Sequence, residues 1–110
     1  MTYEEISAMI ERMGLPFNYY QWDEDQVPPL PYILFYYPER NDFRADDKSY
    51  CKITKLNLEF YSKEKDFENE EVIEGVLEEY GLIYTKTESF IDSERMYEVL
   101  YQTEVQINES

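Results

Sequence analysis

The run Pro29-Leu30-Pro31-Tyr32-Ile33-Leu34-Phe35-Tyr36-Tyr37-Pro38 decides how this chain folds. Tyr32 to Tyr37 is an unbroken apolar and aromatic stretch, long enough for a central strand covered on both faces. Pro38 ends it. The prolines ahead of it, Pro28-Pro29-Leu30-Pro31, form a stiff lead-in, and the same residues match a PxxP ligand pattern. A polar stretch, 39–49, follows as the tip of a hairpin, and the return arm runs from Tyr50 to Tyr61. In that arm Leu56, Leu58 and Phe60 share one face, while Lys55, Asn57 and Glu59 share the other. Ile53 falls on the opposite parity from Leu56, which predicts a bulge or twist near Thr54.

Helical periodicity flanks this hairpin on both sides. Ile6, Met9, Ile10 and Met13 make one buried stripe, opened by a capping box of Thr2 with Glu5 and stopped by Gly14. Ile73, Val76, Leu77 and Tyr80 make a second stripe over about 69–80, with Glu70, Glu71, Glu74, Glu78 and Glu79 expected to face water and Gly81 ending the helix. Phe17 to Trp22 reads as a strand. So do Leu82 to Ile91 and Met96 to Ile107, joined by the turn Asp92-Ser93-Glu94. The stripes of the two helices repeat at an offset of 67 residues, and Gly14/Gly81, Leu15/Leu82 and Phe17/Tyr84 match at the same offset. This is either a degenerate αββ repeat or the usual way of turning a helix into a strand. The expected fold is a single α+β domain over 1–110, in the order αβββαββ, with a long hairpin at about 32–61 and two helices packed on a mostly antiparallel sheet.

The chain has 110 residues, 43% of them hydrophobic, with 12 Tyr and 6 Phe, so its acidity sits on a folded domain rather than on a disordered tail. No apolar run approaches the length of a membrane span, and the N-terminus lacks the pattern of a signal peptide. The cytoplasm is the default location, and no membrane is expected as a partner. The net charge of −15 opposes nucleic-acid binding through phosphate contacts. Charge is also unevenly placed. Residues 40–65 hold seven of the ten bases against five acids, a net +2, which leaves −17 for the remainder. That is either a set of ordinary solvated faces or a near-neutral arm that can meet an acidic neighbour.

Catalytic equipment is scarce in the sequence. With no histidine, the usual general base and the Ser/His and Cys/His nucleophile systems are missing. Three glycines, Gly14, Gly75 and Gly81, leave no phosphate-cradling loop. Cys51 is the only cysteine and reads as a structural thiol on a strand. Asp23-Glu24-Asp25 and Asp46-Asp47 have neither the spacing nor the glycine of an EF-hand. No metal, no cofactor and no enzymatic activity are expected. The aromatic pairs Tyr19-Tyr20, Tyr36-Tyr37 and Phe60-Tyr61 each place a ring on both faces of a strand. The outer ring of each pair is either a tolerated strand former or part of a protein interface.

Several stretches together resemble a family. They are the helix followed by Gly14-Leu15-Pro16-Phe17, the proline-led strand 29–37, and Arg44-Ala45-Asp46-Asp47 before Tyr50. Leu58-Glu59-Phe60-Tyr61 and Phe90-Ile91-Asp92-Ser93-Glu94-Arg95-Met96-Tyr97 complete the set. In this order, over nearly its whole length, the chain resembles the tail terminator, or tail-completion, proteins of long-tailed phages and prophages of Gram-positive bacteria. The resemblance implies a small subunit of a hexameric ring that caps the tail tube and joins it to the head. It also implies partners in the tail tube protein and a head-completion or neck protein, and a place in the virion tail or neck after assembly in the host cytoplasm. A ring needs heterologous contacts between unlike patches. Arg40, Arg44, Lys48 and Lys52, with Asp46 and Asp47 on the same arm, are the expected interface residues, and Glu71, Glu74 and Glu78 of the second helix are their expected acceptors. A head-completion connector of the neck and an acidic DNA-mimicking inhibitor are the alternatives.

Overall fold

The computed structural model describes residues 1–45 and 49–108, and for 43–45 and 49–51 the backbone alone. The chain forms α1 (Tyr3–Glu11), β1 (Phe17–Tyr19), β2 (Tyr32–Tyr36), β3 (Phe43–Ala45), β4 (Ser49–Ser62), α2 (Phe67–Glu79), β5 (Tyr84–Ile91) and β6 (Met96–Ile107). Five strands lie in the order β1-β2-β4-β6-β5, and β3 pairs with the far end of β4. The architecture is α+β, with every pair antiparallel except β1 with β2.

β4 is the spine of the molecule. Its 14 residues span about 46 Å at roughly 3.3 Å per residue, and the molecule's longest extent is 50 Å against 28 and 23 Å across. Tyr32–Tyr36 pairs with Asn57–Tyr61 on one side of it, as the hairpin reading requires. On the other side β6 runs without interruption from Lys52↔Ile107 to Ser62↔Tyr97. No bulge therefore interrupts β4 on its β6 side; on the hairpin side the register shifts by one residue between Tyr36↔Asn57 and Arg40↔Thr54, so the irregularity expected near Thr54 lies in the facing arm, at Tyr37 and Pro38. Thr54 itself takes the core-facing position, 2% exposed, and its hydroxyl donates to the Lys55 carbonyl at 3.2 Å. A threonine that bonds its hydroxyl to the backbone can hold an inward position, so Ile53 turns outward without breaking the ladder.

The stretch 39–49 also differs from a plain polar tip. Phe43–Ala45 pairs with Ser49–Cys51, and Arg40 bridges to Thr54, so the arm is paired along most of its length and the order becomes αββββαββ. β1 stops at Tyr19 because Tyr20 adopts φ 68°, which turns the chain out of the sheet. α2 starts two residues ahead of Asn69, at Phe67, because Asp66 caps it by accepting from the Asn69 N–H at 3.1 Å. β5 begins at Tyr84 rather than at Leu82. The αββ echo does not extend to strand pairing: β1 runs parallel to β2, whereas β5 runs antiparallel to β6.

Both helices cover one face of the sheet. Ile6, Met9, Ile10 and Met13 of α1 and Ile73, Val76 and Leu77 of α2 pack on Ile33 and Phe35, on Leu56, Leu58 and Phe60, and on Val99, Tyr101, Val105 and Ile107. The expected capping box is formed, with Glu5 N–H donating to Thr2 Oγ1 at 3.1 Å and Thr2 N–H to Glu5 Oε1 at 2.9 Å. Gly14 and Gly81 end the two helices at φ 79° and 72°, a region that costs an L side chain energy.

Candidate functional site

The sheet face opposite the helices begins as an aromatic row and becomes polar across the strands. Tyr32 and Leu34 are buried there. Trp22 meets Tyr32 edge-to-face with ring centres 5.3 Å apart, and Tyr20 lies tilted against Tyr36 at 4.9 Å. The outer rings of all three aromatic pairs, Tyr20, Tyr36 and Tyr61, thus meet another ring within the chain, and Tyr19 and Tyr20 keep 48% and 61% of their surface exposed. On the helix side Tyr37 lies against Tyr3 and Tyr19, and burial pushes its phenol up to about 12.

Further along the same open face, Asn57 Nδ2 donates to the Tyr36 hydroxyl at 3.1 Å, and Gln102 Nε2 donates to Asn57 Oδ1 at 3.4 Å. The Tyr61 hydroxyl sits between two carboxylates, 2.9 Å from Glu59 and 3.2 Å from Glu98. Burial raises the Glu59 carboxyl above its ordinary range, and the nearby Glu98 charge adds to this, partly offset by the bond from Tyr61. Beyond this row Lys55, Asn57, Gln102 and Glu104 join Gly81–Thr85 around an open groove of about 640 Å³. The groove is lined by Leu82, Ile83 and Tyr84 together with amides, hydroxyls, one cation and one carboxylate, with no paired base and nucleophile. Among the described residues, no group of three His, Cys, Asp or Glu side chains could hold a metal ion.

A charge network, not foreseen from the sequence, fixes α2 to β5. Glu70, expected in water, is 1% exposed. It is bracketed by Lys65 at 2.5 Å and Lys86 at 2.8 Å. Lys65 also meets Glu88, and Lys86 meets Glu74 at 2.7 Å. Burial alone would lower the Lys86 ammonium, but its bonds to Glu70 and Glu74 outweigh that and hold it above the ordinary lysine value. Glu74 also accepts from the buried Tyr101 hydroxyl at 2.8 Å, and burial together with that bond raises the phenol far above its usual range. The signal for Glu70 was present in the spacing. It stands three residues before Ile73 and seven before Leu77, so the apolar stripe continues through it by one turn.

The expected interface residues divide into several groups. Arg40 grips Asp42 through two hydrogen bonds, 2.8 and 2.5 Å, beside the Lys55–Glu39 pair at 3.6 Å, so the base of the arm neutralises itself. Lys52 has its own interactions within the chain. The Arg44 side chain and Asp46, Asp47 and Lys48 lie outside the described residues, as does the Cys51 side chain. On α2, Glu71 and Glu78 are exposed, Glu78 accepting from the Tyr84 hydroxyl at 3.2 Å, whereas Glu74 is committed to Lys86 and Tyr101. Of the three expected acceptors, Glu71 and Glu78 therefore remain accessible.

No helix of the described residues is long and apolar enough to cross a membrane. No protein-family model and no protein of curated function matches the chain.

Proposed function

We propose that this protein is a structural assembly subunit, a tail terminator that forms a ring on the end of a phage tail tube and joins it to the head. The observation that carries this reading is the division of charge along an elongated body. The paired arm of β3 and the first part of β4 lies in the +2 segment, while the remainder, α2 included, carries −17. Two unlike patches on one subunit suit the heterologous contacts that close a ring. An acidic lumen would let DNA pass without adhering. Such a subunit works through contact surfaces, which fits an open face built of amides, hydroxyls and aromatic rings. In this reading Arg44 and Lys48 of the arm face the exposed glutamates Glu71 and Glu78 of the neighbouring subunit, Arg40 being held by Asp42 within its own chain, and the site of action is the tail–neck junction of a virion.

Negative-stain microscopy with purified tail tube protein tests the reading. The expected result is a ring on one end of each tube and arrest of tube growth at that end. Arg44→Glu is expected to abolish both. Tubes that grow past the added protein, or an Arg44→Glu protein with the wild-type oligomer distribution in sedimentation, would overturn the assignment.

A further inference from the structure

β5 closes one side of the sheet, and among the described residues no strand pairs with its outer edge. Residues Thr85 to Phe90 are all exposed. The ladder to β6 is unbroken from Tyr84↔Thr103 to Ile91↔Met96, with no bulge and no proline to deform the edge. An eight-residue strand of this kind presents a row of outward N–H and C=O groups that another strand can satisfy. The opposite edge is β1, three residues long and ended by the turn at Tyr20, so it offers no equivalent template.

The side chains of β5 select the strand that fits. Lys86 and Glu88 both lie on the helix side, where they meet α2 and Lys65, and their side chains remain 37% and 43% exposed. A charge at the middle of an edge ordinarily repels arbitrary partners. It accepts one that sets the opposite charge directly across from it. A second copy of β5, laid antiparallel with Thr87 on a twofold axis, does this at both charged positions and sets like with like elsewhere. Lys86 then faces Glu88, Tyr84 faces Phe90, Thr85 faces Ser89, and Thr87 faces itself. The alternating charges Glu74–Lys86 and Glu88–Lys65 would join across the axis into one continuous chain.

Symmetry removes the neighbouring registers. A twofold axis normal to the sheet keeps the helices of both copies on one face, so the axis must pass through a residue. Moving it to Lys86 sets Lys86 against Lys86, and moving it to Glu88 sets Glu88 against Glu88. Like charges directly opposite each other are destabilising. The geometry points to a homodimer in which two β5 strands join antiparallel about Thr87 and extend the two sheets into one. This inference does not depend on the tail-terminator reading, because it uses neither the arm nor the exposed glutamates of α2.

Disulfide trapping in a Cys51→Ser background reads the register directly. Residues opposite each other in an antiparallel pair have Cα atoms about 4.5–5.5 Å apart, within disulfide reach. Thr87→Cys is expected to cross-link to itself under mild oxidation. Thr85→Cys alone is expected to stay monomeric on a non-reducing gel, but to cross-link when mixed with Ser89→Cys. Thr87→Lys, which places two ammonium groups on the axis at a position exposed in the monomer, is expected to weaken the dimer about tenfold or more in sedimentation equilibrium, with an unfolding midpoint unchanged at concentrations where the chain is monomeric. Equal cross-linking of Thr85→Cys and Thr87→Cys, none by Thr87→Cys, or an unchanged dimer constant for Thr87→Lys would overturn the proposal. Adding Arg44→Glu is expected to leave the Thr87→Cys cross-link intact, which separates failure of the arm interface from failure of this one.

Discussion

Replacing Glu70 by glutamine removes one negative charge from the most buried ionic contact of the protein while keeping the side chain's shape. Glu70 is 1% exposed and receives two ammonium groups, at 2.5 and 2.8 Å. Hydrogen bonds to charged groups contribute about 1.5–3 kcal/mol each. Glutamine keeps one acceptor oxygen and so loses about one such contact together with the charge. The roughly 3–5 kcal/mol cost of stripping a partner from a fully buried pair is an upper bound. It is not reached here, because Lys65 retains Glu88, Lys86 retains Glu74, and the two lysine side chains are 24% and 37% exposed. The expected destabilisation is about 2 kcal/mol, which at roughly 4 °C per kcal/mol for a domain of this size lowers Tm by about 8 °C. Urea unfolding followed by Trp22 fluorescence, with thermal unfolding by circular dichroism, measures it. Glu71→Gln is the control: it relieves the net charge of −15 by the same amount from an exposed position one residue along the helix, and a surface change of this kind is expected to stay within about 0.5 kcal/mol. If Glu70→Gln and Glu71→Gln have the same midpoint, the network does not anchor α2 to β5 and the reasoning fails.

Two further perturbations address other parts of the fold. Thr2→Ala removes the acceptor for the Glu5 N–H from the capping box of α1 and is expected to cost about 1 kcal/mol in urea unfolding, with Thr2→Ser restoring most of it; a loss of the same size in Thr2→Ser would count against the cap. Glu59 has its carboxyl raised first by burial and then by Glu98, so the native state holds the proton more tightly than the unfolded chain. Ionised Glu59 therefore costs stability above its raised pKa, and the cost fades as pH falls toward the ordinary value of 4.5. Glu59→Gln is expected to raise Tm at pH 7 and to leave it nearly unchanged at pH 4; an equal effect at both pH values would refute the assignment.

Local signals placed most of the elements. Thr2 and Glu5 at capping-box spacing, with Gly14 after the last apolar position, bound α1 closely, because each acts on its own backbone. The alternation of Tyr97, Val99, Tyr101, Thr103, Val105 and Ile107 identified β6 with its buried face, because period two follows from the pleat alone. Errors arose where a charged or polar residue occupied a position that spacing assigned to the core. Glu70 and Thr54 both follow the inward pattern, and their chemistry argued for water or a bulge. What decided their burial was the arrival of Lys65 and Lys86 at the one, and of a backbone carbonyl for the hydroxyl at the other.

The candidate surfaces divide along the same line. The sequence by itself determined that the chain is acidic overall with a near-neutral arm, that it lacks histidine, and that aromatic residues stand on both faces of its strands, since composition and alternation need no knowledge of neighbours. Only the tertiary structure decided that β1 lies parallel at one edge of the sheet and that β5 forms the other edge. It also decided that Trp22 and Tyr20 fold back over the face of β2, and that Glu74 is consumed by Lys86 and Tyr101 while Glu71 and Glu78 stay exposed. The physical reason is range: a helix cap or a pleat is set by residues within a turn of one another, whereas strand order and charge pairing depend on groups that meet only after the chain has closed on itself.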